Sequence, residues 1–243
     1  MTRNLFRALA VSLTLAVWFS TTSVRAVVID DFSTANTPAL LQINGGSGGP
    51  ATDNDDSGLA GVVGGVREVT LTRTSGTAGD IRAEVTGGEM RFQTLNVIDS
   101  ANFLLVYDAV TGVGVGDVAA DLTAGGTNAF GVAFSAASGG TTPVTINVFD
   151  GTNSGAATVN YLGGPGTLVI PYSNVGFAGV NFASINTVSL QVTGVFDGDY
   201  FISLFESQIT GDPQAVPEPS TIVLAAISLL GVLIFRVFGL ARN

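Results

Sequence analysis

The hydrophobic positions between residues 27 and 210 recur with a period of two. Met90, Phe92 and Thr94 alternate with Glu89, Arg91 and Gln93, and Val188, Leu190 and Val192 alternate with Ser189, Gln191 and Thr193. Ile81, Ala83 and Val85 against Arg82 and Glu84 repeat the pattern, as do Val144, Ile146 and Val148 against Thr145 and Asn147. Successive side chains of an extended chain point to opposite faces, so each run predicts a strand with one face in a core and one in water. Runs at 27–32, 67–73, 103–107, 129–134, 156–161, 167–171 and 200–209 bring the expectation to about eleven strands. No stretch of this body keeps a helical period. The expected fold class is all-β, an antiparallel β-sandwich of two sheets packed face to face.

Glycine punctuates the pattern. The chain holds 32 glycines, many in clusters such as Gly45-Gly46, Gly87-Gly88, Gly125-Gly126, Gly139-Gly140 and Gly163-Gly164. Each cluster lies between apolar or alternating runs, where the chain must turn. The Gly- and Asp-rich segment 44–61 reads as one long surface loop.

The two ends follow other patterns. Residues 1–26 carry Arg3 and Arg7, an apolar stretch from Ala8 to Phe19 and a polar stretch ending Val24-Arg25-Ala26. That is the layout of a signal peptide cut by signal peptidase, with a mature start at Val27. At the other end, Pro217-Glu218-Pro219-Ser220 precedes an uncharged apolar run from Thr221 to Phe235, and Arg236 and Arg242 follow it. At about 1.5 Å per helical residue that run covers roughly 22 Å, short of the roughly 30 Å hydrocarbon core of a bilayer. Extension to Leu240 supplies the missing turn if the Arg236 guanidinium bends back to the interface. The expectation is one C-terminal transmembrane helix over 221–240, with residues 241–243 as a cytoplasmic tail because basic residues favour that side. The chain then divides into a signal peptide (1–26), an ectodomain (27–212), a linker (213–220), the membrane helix and the tail.

The order Pro-Glu-Pro, single span, basic end resembles the PEP-CTERM sorting signal. The resemblance rests on Pro217, Glu218, Pro219, Ser220, Arg236 and Arg242, and departs from the family in spreading two arginines over seven positions where a tight cluster is usual. It implies recognition and processing by an exosortase-type membrane protease. The protein is then exported, transiently held in the inner membrane, and delivered to the cell surface or extracellular matrix.

Charge narrows what the body can bind. Between residues 27 and 212 stand 18 Asp and Glu but only Arg67, Arg73, Arg82 and Arg91, a net charge of −14. A surface of one sign repels phosphate polymers, which excludes nucleic acid, and attracts cations. The chain has no Lys, His or Cys, so Ser–His pairs, thiolates, Schiff-base amines and imidazole zinc sites are all missing. Carboxylate chemistry remains, chiefly glycoside cleavage by a pair of acids. The candidates are Asp30, Asp31, Asp197, Asp199, Glu68, Glu84 and Glu89, although charges alternating with apolar residues normally form a solvated strand face, and the chain is not expected to be an enzyme.

A second resemblance is spread over the body. The opening Val28-Ile29-Asp30-Asp31-Phe32, the turn Val63-Gly64-Gly65-Val66-Arg67-Glu68 and the closing Asp197-Gly198-Asp199-Tyr200 look like jelly-roll domains of the galactose-binding or carbohydrate-binding kind. It implies that the Asp-bearing last strand lies beside the first, with a calcium ion near Asp31 and Asp199. A second calcium candidate is the loop of Asp53, Asp55, Ser57 and Gly58, which fits the start of a twelve-residue calcium loop but has Gly64 where the bidentate Glu is required, so it is not an EF-hand. Glycan platforms stack sugars on exposed aromatics; the one Trp, Trp18, lies in the signal peptide, leaving Tyr107, Tyr161, Tyr172, Tyr200 and the phenylalanines. Three readings stand: a structural or adhesive envelope protein, which is preferred; a carbohydrate-binding module for extracellular polysaccharide; and a carboxylate-only glycosidase.

Overall fold

The computed structural model describes residues 26–35, 40–46, 50–53, 57–96, 99–109, 117–138, 140–196 and 198–210. In chain order the strands are β1 (Val27–Asp30), β2 (Leu40–Ile43), β3 (Pro50–Asp53), β4 (Glu68–Ser75), β5 (Ile81–Thr86), β6 (Glu89–Thr94) and β7 (Ser100–Tyr107). There follow β8 (Ala129–Ala137), β9 (Thr142–Phe149), β10 (Ser154–Tyr161), β11 (Gly166–Pro171), β12 (Thr187–Phe196) and β13 (Asp199–Gln208). Sheet A has the order β11-β8-β13-β6-β5-β2, with β1 added on β13, and sheet B the order β10-β9-β12-β7-β4-β3. From β6 onward the chain changes sheet at every connection except β9 to β10, as in a jelly roll. All strand pairs are antiparallel.

The first strand does lie beside the last. Val27 pairs with Ser207 and Asp30 with Phe205, while β6 pairs the other half of β13, from Asp199 opposite Gln93 to Ile202 opposite Met90. Thus β6 and β1 share one edge of β13 end to end.

The core is what the alternation predicts. Met90 and Phe92 of sheet A and Phe103 and Leu105 of sheet B are at most 1 % exposed. Phe92 meets Phe103 across the sandwich with ring centroids 4.5 Å apart. At about 25 cal/mol per Å² of apolar surface, this buried layer is the main force holding the two sheets together.

Two strands were not legible in the sequence. β2 and β3 are four residues each, too short to show a period, and β3 lies inside the segment expected to be a loop. Pro50 opens β3 at the sheet edge, a strand position where a missing N–H is harmless. The expected signal peptide (except Ala26), linker, membrane helix and tail fall outside the described residues. Among those described, no helix is long and apolar enough to cross a membrane.

Candidate functional site

Strand alternation gives each sheet an outer face, and the two differ in chemistry. On sheet A one cross-strand row reads Leu40, Glu84, Arg91, Phe201, Ala136, and the next reads Gln42, Arg82, Gln93, Asp199. Both of its arginines are ion-paired. Arg91 lies 3.4 Å from Glu89 with its guanidinium 5.0 Å from the centre of the Phe201 ring, and Arg82 lies 3.0 Å from Asp80.

On sheet B a row crosses all six strands as Thr52, Thr70, Leu104, Gln191, Thr145, Thr158. None of the six titrates. The neighbouring row is Glu68, Val106, Ser189, Asn147, Ala156, whose one charge stands at the β4 end. Thr145 and Thr158 hydroxyls are 2.8 Å apart, and Asn147 Nδ2 donates to Ser189 Oγ at 3.0 Å. These contacts orient the amide and hydroxyl groups while leaving them further donor and acceptor capacity toward solvent.

This face ends in a cleft of about 440 Å³ lined by Asn147, Val148, Phe149, Ser154, Gly155, Ala156, Gly176, Thr187 and Ser189. A 3-10 turn, Val175–Phe177, forms one wall against β10, and Val175 on it is 89 % exposed. The approach depends on glycine. A Cβ on Gly176 would collide with the Ala156 carbonyl oxygen, and one on Gly155 would stand 2.9 Å from the Gly176 oxygen.

Asp150 holds the other wall. Its Oδ1 accepts from the Thr152 and Asn153 amides at 2.8 and 2.6 Å, closing the β9–β10 turn between Phe149 and Ser154. Its Oδ2 accepts from the Asn181 amide at 2.7 Å, tying that turn to the segment after the 3-10 turn. The amides of Asn153, Asn181 and Thr152 together pull the Asp150 carboxyl down to about 2. The one signal of this residue in the sequence is an Asp-Gly-Thr-Asn turn between two strand runs.

The acids singled out in the sequence are dispersed. Asp30 is fully buried, with Arg67 Nη1 donating to its two oxygens at 3.0 and 2.7 Å and the Tyr107 hydroxyl donating at 3.0 Å. Burial outweighs Arg67 and pushes the Asp30 carboxyl up, and it pushes the Tyr107 hydroxyl well up. Closed to solvent, this cluster ties β1 of sheet A to β7 of sheet B. Glu84 and Glu89 have Arg91 between them, opposite the first and ion-paired with the second. Glu68 faces Val106, Asp199 faces Gln93, and Asp197 lies outside the described residues.

Asp31 and Asp199 do not stand together. Asp30, the neighbour of Asp31, stands opposite Phe205, whereas Asp199 starts the same strand six residues away, about 20 Å at 3.3 Å per residue. Asp31 Oδ1 instead accepts from the Ser33 amide at 2.9 Å, and Asp199 Oδ1 accepts from Gln93 Nε2 at 3.0 Å. The resemblance put an acid on the first and last strands without fixing which ends of those strands meet. Asp53 closes β3, and Asp55 lies outside the described residues. Among the described residues no group of three acidic side chains converges as a metal site.

The tyrosines do not form a platform either. Tyr107 and Tyr200 are fully buried, Tyr161 stacks on Phe134, and Tyr172 stacks on Phe182.

The sorting residues lie outside the described chain, and the comparison with protein families addresses them directly. Residues 215–237 match the model described as the PEP-CTERM protein-sorting motif. The chain carries a PEP-CTERM sorting motif. The match includes Pro217, Glu218, Pro219, Ser220 and Arg236 and stops before Arg242. With it the chain is marked as an exported protein that passes through a membrane.

Among curated proteins none matches the chain. Solved structures do. A family 11 carbohydrate-binding module of a Clostridium thermocellum cellulosomal cellulase is 11 % identical with a TM-score of 0.35, covering 78 % of this chain and 97 % of that one. The solution structure of CtCBM11 is 13 % identical with a TM-score of 0.38, covering 79 % and 99 %. An agarase, AgWH50C, is 14 % identical with a TM-score of 0.37 over 57 % of this chain, which spans about a quarter, 24 %, of the agarase.

Proposed function

We propose that this is an exported adhesive protein, delivered by its C-terminal motif and processed by an exosortase-type protease, whose sandwich binds extracellular polysaccharide without cleaving it. The observation that carries the binding reading is the outer face of sheet B, a six-strand row of five hydroxyl or amide side chains and Leu104 leading into a cleft. Hydroxyls and amides both donate and accept, as do sugar hydroxyls, so such a face replaces the water around a glycan group by group. Phe149 adds apolar surface to the cleft lining, where the weakly polar C–H face of a sugar can lie.

The non-catalytic reading is supported by the acids. Paired-acid hydrolysis needs two carboxyls about 5 to 10 Å apart on either side of one bond, and the uncharged row and the cleft lining contain no carboxylate.

Two experiments test these halves separately. Changing Pro217, Glu218 and Pro219 to alanine is expected to trap the protein in the membrane fraction; normal arrival at the surface would rule out exosortase sorting. Retention of the purified full chain on insoluble polysaccharide, with no release of reducing sugar, is the expected result for the body. Failure to bind any glycan would leave the sandwich as a purely structural element.

A further inference from the structure

Resting on that reading of sheet B, we infer that the ligand is an uncharged glycan polymer lying across the strands, and that acidic polysaccharides are rejected. Two independent features of the molecule lead there.

The first is length. Thr52, Thr70, Leu104, Gln191, Thr145 and Thr158 occupy six adjacent strands, one residue from each. Five steps at about 4.8 Å make a track of about 24 Å. The adjoining row of Val106, Ser189, Asn147 and Ala156 runs parallel to it and opens into the cleft, so the track continues into the concave end of the face. A monosaccharide would touch one or two of these side chains. An extended chain touches all of them, and each added contact raises affinity until the ligand spans the sheet.

The second is charge. The body carries −14, yet neither the track nor the cleft lining contains a basic residue that could pair with a carboxylate or sulfate. The four arginines of the body are committed elsewhere. Arg67 and Arg73 are held at 2.7 and 2.8 Å by the buried Asp30 and Asp99, while Arg82 and Arg91 belong to strands of sheet A. A polyanion approaching sheet B therefore meets long-range repulsion with no local compensation. For a neutral chain the same field is irrelevant.

The discriminating measurement is affinity electrophoresis or calorimetry of the full chain, purified in detergent, against a neutral glucan, its oligosaccharide ladder and polygalacturonate. The expected result is binding to the neutral polymer that changes less than twofold between low and high salt, no measurable binding to polygalacturonate, and affinity rising at least tenfold from disaccharide to the longest oligomer. Gln191→Ala, at the centre of the track, should weaken the polymer by about tenfold and the disaccharide much less. Stronger retention by polygalacturonate, or an affinity already at its maximum with a disaccharide, overturns this inference while leaving glycan binding intact. Retention by none of the probes overturns the binding reading itself.

Discussion

The two outer faces of the sandwich come from the same pleat and differ in what occupies the solvent positions. Sheet A presents Glu84, Glu89, Arg82, Arg91 and Asp199, with Arg82 paired to Asp80 and Arg91 paired to Glu89 and lying over Phe201. Sheet B presents threonine, glutamine, asparagine and serine, and its hydroxyls and amides are only partly engaged with each other. A third pair, Asp30 with Arg67, puts the ion-pair chemistry of sheet A into the interior. The difference teaches that charge in this protein stands in separate places: ion pairs on the outer face of sheet A, a buried pair joining the sheets inside, and none on the row that crosses sheet B.

The comparison is broken most forcefully from the inside. Arg67→Ala leaves the Asp30 carboxylate buried without its cation, and a loss of about 3–5 kcal/mol is expected in denaturant unfolding. A loss below about 1 kcal/mol would mean that the pair contributes little to joining the sheets.

Next in size is Gly176→Ala. The new methyl must displace either the 3-10 turn or β10, with an expected cost of about 1–3 kcal/mol and weakened polysaccharide retention together. Stability loss with full retention would show that the cleft wall is not part of the binding face.

Acid sharpens the contrast between the faces. Nothing on the track titrates, so binding should stay level from neutral pH down to about 4. Asp150 has its folded-state carboxyl lowered from 3.8 to about 2. Its contribution is present above 3.8 and lost as pH falls through about 2, because below that the folded and unfolded states are equally protonated. Wild type and Asp150→Asn should therefore differ in thermal midpoint at neutral pH and converge near pH 2. A gap that persists there would refute the role given to those three amides.

Smaller still is Arg91→Ala on sheet A. A half-exposed ion pair is worth about 0.2–1 kcal/mol, and polysaccharide binding on the opposite face should not change. The smallest effect concerns calcium. Asp31→Ala and Asp199→Ala are each expected to leave the calcium-induced shift in thermal midpoint unaltered, measured against sodium chloride of matched ionic strength, since Asp30 beside the first stands six residues along β13 from the second.

Much of this was determined by the sequence alone. The period-two runs at 81–85, 89–94, 144–148 and 188–193 are strands because alternation is a local property, enforced at every residue by the pleat. The terminal sorting motif is likewise read in order along the chain, and residues 215–237 match it without reference to any fold. Tertiary structure decided what depends on partners distant in sequence. Asp30 stood among the acids expected on solvated strand faces, and only the meeting of β1, β7 and the residue before β4 buries it with Arg67 against Tyr107, 77 residues from Asp30. Asp31 and Asp199 looked like a pair, and antiparallel register set Asp30, the neighbour of the first, six residues along β13 from the second. Thr52 and Thr158 carry no signal of their own. They join one track because hydrogen-bond register, which no single strand encodes, lines up polar residues from five strands and Leu104 from the sixth.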